Sequence, residues 1–212
     1  MARLSQFEFK AASVLPATVA PNGKLYYVLA REAFGKNVGT WDAFGGGRDI
    51  GEDHPVETAA RELYEESMGI LFSSASKCAN YITLSAGNTR HIIANSRKKG
   101  VVYITLFRWA DINTLIHAFH KTRKHLLRTG VDAHYVEKDN IALVSHDDLR
   151  AAIRDWISGD VIVEGGVPKR AGLVRTLLQV RPILVSMMWG YMTDAHPYMT
   201  AGPNGEIVYY DW

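Results

Sequence analysis

Glu62, Glu65 and Glu66 stand at i, i+3 and i+4 within Glu57 to Met68. Inward candidates Ala59, Ala60, Leu63 and Tyr64 predict a helix there. On a helix this spacing stacks all three carboxylates on one face, where like charges repel and cost stability. The arrangement makes sense if cations sit between the side chains. Hard divalent ions such as Mg²⁺ take oxygen ligands and bridge to phosphates. Arg61, next to Glu62 and four residues before Glu65, can orient a carboxylate through a bidentate pair. Upstream, Gly45-Gly46-Gly47 lets backbone approach an ion or phosphate with no Cβ in the way. Taken alone, the six residues Arg61 to Glu66 equally describe an acidic surface helix, because short motifs recur by chance.

The surrounding segments narrow the choice. Ala11 to Val19 and Leu25 to Arg31 read as strands joined by the turn Pro21-Asn22-Gly23, a predicted hairpin. Trp41 to Phe44 is a short apolar stretch running into a predicted glycine turn. Pro55 suits a first helical turn, and Gly69 a helix stop. Tyr81 to Leu84, His91 to Ala94 and Val101 to Trp109 read as strands, and Asp111 to Arg128 as a helix ending at Gly130. Ile141 to Val144 reads as a strand. Ser145 to Asp148 resembles a capping box before a helix, Leu149 to Ile157. Val161 to Val163 reads as extended. Leu173 to Met188 is predicted helical with a kink at Pro182, and Met199 to Tyr209 a last hairpin closed at Pro203-Asn204-Gly205. Helices and strands mix irregularly, so the expected class is α+β rather than a regular βαβ array.

Composition removes several classes. The chain has 212 residues, 47% of them hydrophobic and 22% charged, which suits a folded domain with a sizeable core. No run of about 18 apolar residues is present, so no membrane span is expected. Met1 to Lys10 lacks the apolar core of a secretory signal. Cys78 is the single cysteine; it excludes an intrachain disulfide and suits a reducing, cytoplasmic location.

Charge is unevenly placed. Residues 90–130 hold nine basic residues (Arg90, Arg97, Lys98, Lys99, Arg108, Lys121, Arg123, Lys124 and Arg128) against one acid, Asp111. Such a segment either attracts a polyanion or forms a solvated basic face. An RNA ligand would need those cations to track phosphates and an aromatic such as Trp41, Tyr103, Phe107, Trp109 or Tyr135 to stack a base. His117, His120 and His125 lack a nearby cysteine and make no persuasive zinc site.

The region from Gly45 to Ile70 resembles the box of the Nudix hydrolase family. That box is a Gly, five residues, Glu, seven residues, then Arg-Glu-apolar-x-Glu-Glu-x-Gly-apolar. Gly47, Asp53 and Arg61-Glu62-Leu63-Tyr64-Glu65-Glu66 match this spacing with Asp in place of the first Glu. An alternative alignment keeps Gly46 and Glu52 with one extra residue before Arg61. Ser67-Met68 stands where the family usually has one residue. The opening hairpin and the unit from Tyr135-Val136-Glu137 to Ile157 resemble the family's ends.

The resemblance implies an α/β/α sandwich with a mixed sheet. The whole chain would be one domain with its core at about 8–158, a basic helical insertion at about 111–130 and an extension at about 159–212. It implies Mg²⁺ or Mn²⁺ on Glu62, Glu65 and Glu66, assisted by a backbone carbonyl of the Gly46-Gly47 turn. Arg61 would orient these groups, Glu66 is the first candidate for the base, and Glu137 the second. Arg97, Lys98, Lys99, Lys121, Arg123 and Lys124 are the candidate substrate cations. The implied reaction is cleavage of a diphosphate linkage in a nucleoside diphosphate derivative or similar polyphosphate: ADP-ribose, a dinucleoside polyphosphate, a diphosphoinositol phosphate or an mRNA cap. Two other readings stay open: a catalytically silent nucleotide or polyphosphate sensor, and an RNA-binding protein whose acidic helix is incidental. Leu173 to Met192 suits a homodimer face or ordinary core.

Overall fold

Strand β1 (Ala11–Val19) sends alternate side chains into two separate cores. Ala12 and Val14 enter one; Leu15 and Ala17 enter the other. The same alternation holds along β2 (Leu25–Glu32), where Val28 and Ala30 face one way and Tyr27 and Leu29 the other. A strand buried on both faces needs a layer on each side. The computed structural model, which describes residues 8–84, 89–95, 98–157, 161–164, 167–170, 179–193 and 208–210, supplies both layers.

The first core is roofed by α1 (Pro55–Glu66), α2 (Ala75–Leu84) and α3 (Trp109–Thr129), through residues such as Leu63, Cys78, Ile112 and Phe119. The second is closed by α4 (His146–Ile157) and α5 (Pro182–Thr193), through Leu149, Ile153, Leu184 and Met188. The result is an α/β/α sandwich around a mixed sheet, the expected class.

The sheet has a notch at its centre. β1 pairs with β6 (Gly100–Leu106) in parallel along one edge. Along its other edge it meets β2 only over Ala17 to Val19. The two strands then part, and β3 (Trp41–Asp42) and β4 (Phe44–Gly47) fill the gap. β3 pairs with β2, and β4 pairs with β1 so that Gly45 lies opposite Ser13. β5 (Thr89–Asn95) and β7 (Lys138–Ser145) extend the sheet beyond β6 and β2 respectively. β8 (Val161–Glu164) and β9 (Val167–Arg170) form a separate hairpin, and β10 (Val208–Tyr210) adds to β5 in parallel.

Several expectations are corrected here. The three glycines are strand β4 rather than a turn. Tyr81 to Leu84 is the end of helix α2, because Tyr81 and Ile82 pack on the first core rather than pairing in the sheet. Strand β6 stops at Leu106, so Trp109 opens α3 instead of closing a strand. Pro182 begins α5 rather than kinking a longer helix, consistent with its missing N–H. Of the predicted last hairpin, Val208 and Tyr209 belong to β10 and pair in parallel with β5, and the remainder lies outside the described residues, as does 171–178. Other signals hold. Ser145 Oγ accepts from the Asp148 N–H at the start of α4, and Gly130 ends α3 at φ 70°.

Candidate functional site

Helix α1 lies against β4, and its acidic face meets the glycines. An ideal Cβ on Gly46 would fall 2.3 Å from Glu62 Oε1, so only glycine lets that carboxylate rest on the strand. Glu66 Oε2 accepts from the Gly45 N–H at 2.8 Å. The helix begins where the Glu57 carboxylate accepts from the backbone N–H groups of Asp53 and His54. It ends at Glu66, followed by Met68 and Gly69 in left-handed backbone at φ 56° and 68°. Met68 is the extra residue before Gly69, and it is buried.

Arg61 binds the site together. Its Nε donates to Glu52 at 2.8 Å. One terminal nitrogen donates to Glu62 at 2.9 Å and Glu65 at 3.1 Å, and the other to the Gly47 carbonyl at 2.8 Å. Burial disfavours the guanidinium charge, but the carboxylates of Glu52 and Glu62 outweigh it and hold the Arg61 pKa above its usual value. Against its own burial, hydrogen bonds from Arg61 and Thr58 hold Glu52 below the usual carboxylate range. Of the two acids that the alternative alignments offer, Arg61 therefore meets Glu52, and also Asp49 at 3.2 Å; the Asp53 side chain is 93% exposed and meets Arg48.

Glu62, Glu65 and Glu137 line one cavity of about 320 Å³ with Gly46, Gly47 and Arg61. Burial, reinforced by the charges of Glu65 and Glu137, pushes the Glu62 carboxyl up to about 7 despite Arg61. Glu137 stands just before β7, and its carboxylate lies 3.1 Å from His134 Nδ1. The geometry thus brings together four of the residues expected at the site: Arg61, Glu62, Glu65 and Glu137, with Gly47.

Glu66 is placed differently. It is 2% exposed and pairs at 2.9 Å with Lys138 Nζ, which also meets Glu32 at 2.7 Å. Burial raises the Glu66 pKa well above the usual value, and Lys138 opposes that shift. Arg181 joins the cluster through Asp42 at 2.8 Å and Glu32 at 3.4 Å. Among the described residues, no three His, Cys, Asp or Glu side chains are gathered as a ready metal site.

The expected substrate cations are scattered. Arg97 lies outside the described residues. Lys98 lines a second cavity of about 190 Å³ that shares Gly46 and Gly47 with the first and is walled by Arg181 and Met187. Lys99 pairs with Glu8 at 2.6 Å. Lys121 and Lys124 are exposed on α3. Arg123 is committed to backbone, donating to the carbonyls of Lys138 at 2.7 Å and Val136 at 3.2 Å, so it positions β7. Tyr103 and Phe107 are core residues, and Tyr135 packs edge-on against Tyr64. Lys138, Asp42 and Arg181 escaped the sequence reading; a lysine beside Glu137, at the mouth of an apolar strand, was the available signal.

No helix among the described residues is long and apolar enough to cross a membrane. No family model and no curated protein matches the chain. In structure the chain is similar to a Nudix hydrolase from M. smegmatis, at 13% identity over 91% of this chain and 88% of that one, with a TM-score of 0.42. It is also similar to a Nudix hydrolase from Nitrosomonas europaea, at 12% identity over 96% and 79%, with a TM-score of 0.40. A third similar structure is an Ap4A hydrolase from C. elegans, at 15% identity over 67% and 84%, with a TM-score of 0.40.

Proposed function

We propose that this chain is a divalent-cation-dependent hydrolase that cleaves the diphosphate linkage of a nucleoside diphosphate derivative or a similar polyphosphate. The observation that carries this reading is one polar cavity shared by Glu62, Glu65 and Glu137 against the backbone of Gly46 and Gly47. The donor set is all oxygen, which suits Mg²⁺ or Mn²⁺. The close seat of Glu62 on Gly46 is a cradle that any larger residue would fill. Glu62 and Glu65 are the residues that would hold the ion, with the Gly47 carbonyl beside them. A bound ion would neutralise phosphate charge and lower the pKa of a coordinated water.

The chain's own groups have separable tasks. Arg61 holds Glu62 and Glu65 in place through hydrogen bonds that also reach Glu52 and the Gly47 carbonyl. Glu137, at the cavity edge, is the proposed general base, a role that contributes about 10²–10⁴-fold in rate. Glu66 is less suited, since one oxygen meets Lys138 and the other the Gly45 N–H.

A second reading has its own support. Arg61 and Lys138 already neutralise the acidic face, as a catalytically silent nucleotide or polyphosphate sensor would allow. One experiment separates the two. Purified protein is incubated with Mg²⁺ or Mn²⁺ and ADP-ribose, NADH, diadenosine polyphosphates, nucleoside triphosphates, diphosphoinositol phosphates and capped RNA, and products are read by mass spectrometry. Turnover that falls at least about 100-fold in Glu137→Gln supports the hydrolase. Metal-dependent binding of a panel member without turnover supports the sensor.

A further inference from the structure

The buried group between α1, β2 and β7 has a composition the proposed chemistry does not use. Three acids, Glu32, Asp42 and Glu66, face two bases, Lys138 and Arg181. The Lys138 side chain is 1% exposed. An ammonium so deeply enclosed is kept charged by Glu66 and Glu32, which overcome the burial that opposes it. Its place is also informative. Glu66 shares the acidic face of α1 with Glu62, yet its Oε1 meets the ammonium at 2.9 Å while its Oε2 accepts from Gly45 at 2.8 Å. Both oxygens are thereby engaged. A divalent ion at Glu66 would stand against a fixed positive charge with no solvent between them.

We infer that Lys138 is a built-in cation that withdraws Glu66 from the metal-binding set, leaving a single-ion cavity on Glu62 and Glu65. The inference rests on the divalent-cation reading of that cavity. Lys138 acts through Glu66 and is a positioning residue. Its ammonium joins helix α1 to β7 and β2, as a cation shared by several carboxylates does, while Gly45 fixes the other side of Glu66. Glu65, outside this group, keeps its contact with Arg61.

The test counts ions. Mn²⁺ binding is measured by calorimetry and by electron paramagnetic resonance, which distinguishes isolated from coupled Mn²⁺. The wild type is expected to bind one Mn²⁺ per chain. Glu62→Gln should weaken it at least about tenfold, and Glu66→Gln should leave the affinity nearly unchanged. Lys138→Met keeps the length of the stem and removes the charge. It should admit a second, coupled Mn²⁺ that is lost again in Lys138→Met with Glu66→Gln. A loss of about tenfold or more in Glu66→Gln alone would overturn the inference, and that variant decides the matter if Lys138→Met does not fold. One ion in both wild type and Lys138→Met would overturn it while sparing the cation cavity. No ion in the wild type but one in Lys138→Met would overturn the single-ion cavity, and the inference with it. No ion in either would sink both.

Discussion

Glu62 is 8% exposed, with Arg61 on one side and the charges of Glu65 and Glu137 on the other, so substituting it by Gln probes the balance of the site. Burial lifts its carboxyl from the usual 4.5 to about 7. A raised acid pKa means that the folded chain binds this proton more tightly than the unfolded one. Below the unfolded value both states are protonated. Between the two values the unfolded state has released its proton and the folded state has not, so stability falls as pH rises. Above the folded value the full penalty remains, and the gap corresponds to about 3 kcal/mol. Glutamine cannot ionise and escapes this penalty, though it exchanges an ion pair with Arg61 for a neutral hydrogen bond. Without divalent ions, Glu62→Gln is therefore expected to be more stable than the wild type by about 1–3 kcal/mol at pH 8, and by much less at pH 5. Urea denaturation followed by tryptophan fluorescence at both pH values, in chelator, reads the difference. A variant less stable than wild type at pH 8, or a difference equal at both pH values, would refute the reasoning.

Three further outcomes follow from other parts of the molecule. Gly46→Ala places a methyl 2.3 Å from the Glu62 carboxylate, so Mn²⁺ should lose most of its effect on the melting temperature of this variant. Differential scanning fluorimetry with and without Mn²⁺ checks this; an undiminished Mn²⁺ shift would contradict the close seat. Leu63→Ala empties a fully buried position under α1 and should cost about 2–5 kcal/mol in chemical denaturation, whereas a loss below about 1 kcal/mol would mean the helix is loosely packed. Burial pushes the Cys78 thiol up to about 12, so a thiol reagent at pH 8 should label it in step with unfolding. Rapid labelling of the native protein would show the first core to be open.

The local code was readable where one element decides its own form. The i, i+3, i+4 carboxylates, Pro55 at the first turn, Gly130 at a left-handed C-terminus and the Ser145 cap all act within a few residues. The spacing of Glu62, Glu65 and Glu66, with Arg61 beside them, was likewise legible as one acidic face; the contact of Arg61 with Glu52 was not. Tyr81 to Leu84 failed for a different reason. Four apolar and β-prone residues fit strand or helix equally, and the first core needed a helix there. Gly45 to Gly47 reads as a turn because glycine favours turns. It became a strand because β1 and β2 part and leave unpaired backbone that β4 satisfies.

What the sequence by itself determined is therefore the set of parts: two strands in a hairpin, a capped acidic helix, and an alternation of apolar residues that demands a layer on each face of the sheet. What only the tertiary structure decided is which acids are available for chemistry. Glu62 and Glu66 are indistinguishable along the helix. They part because β7 delivers Lys138 to one end of the acidic face alone, while Arg181, from the segment before α5, pairs with Asp42 and with the Glu32 that Lys138 also meets. Burial and charge pairing belong to neighbours brought together by the fold, and no window of local sequence contains them.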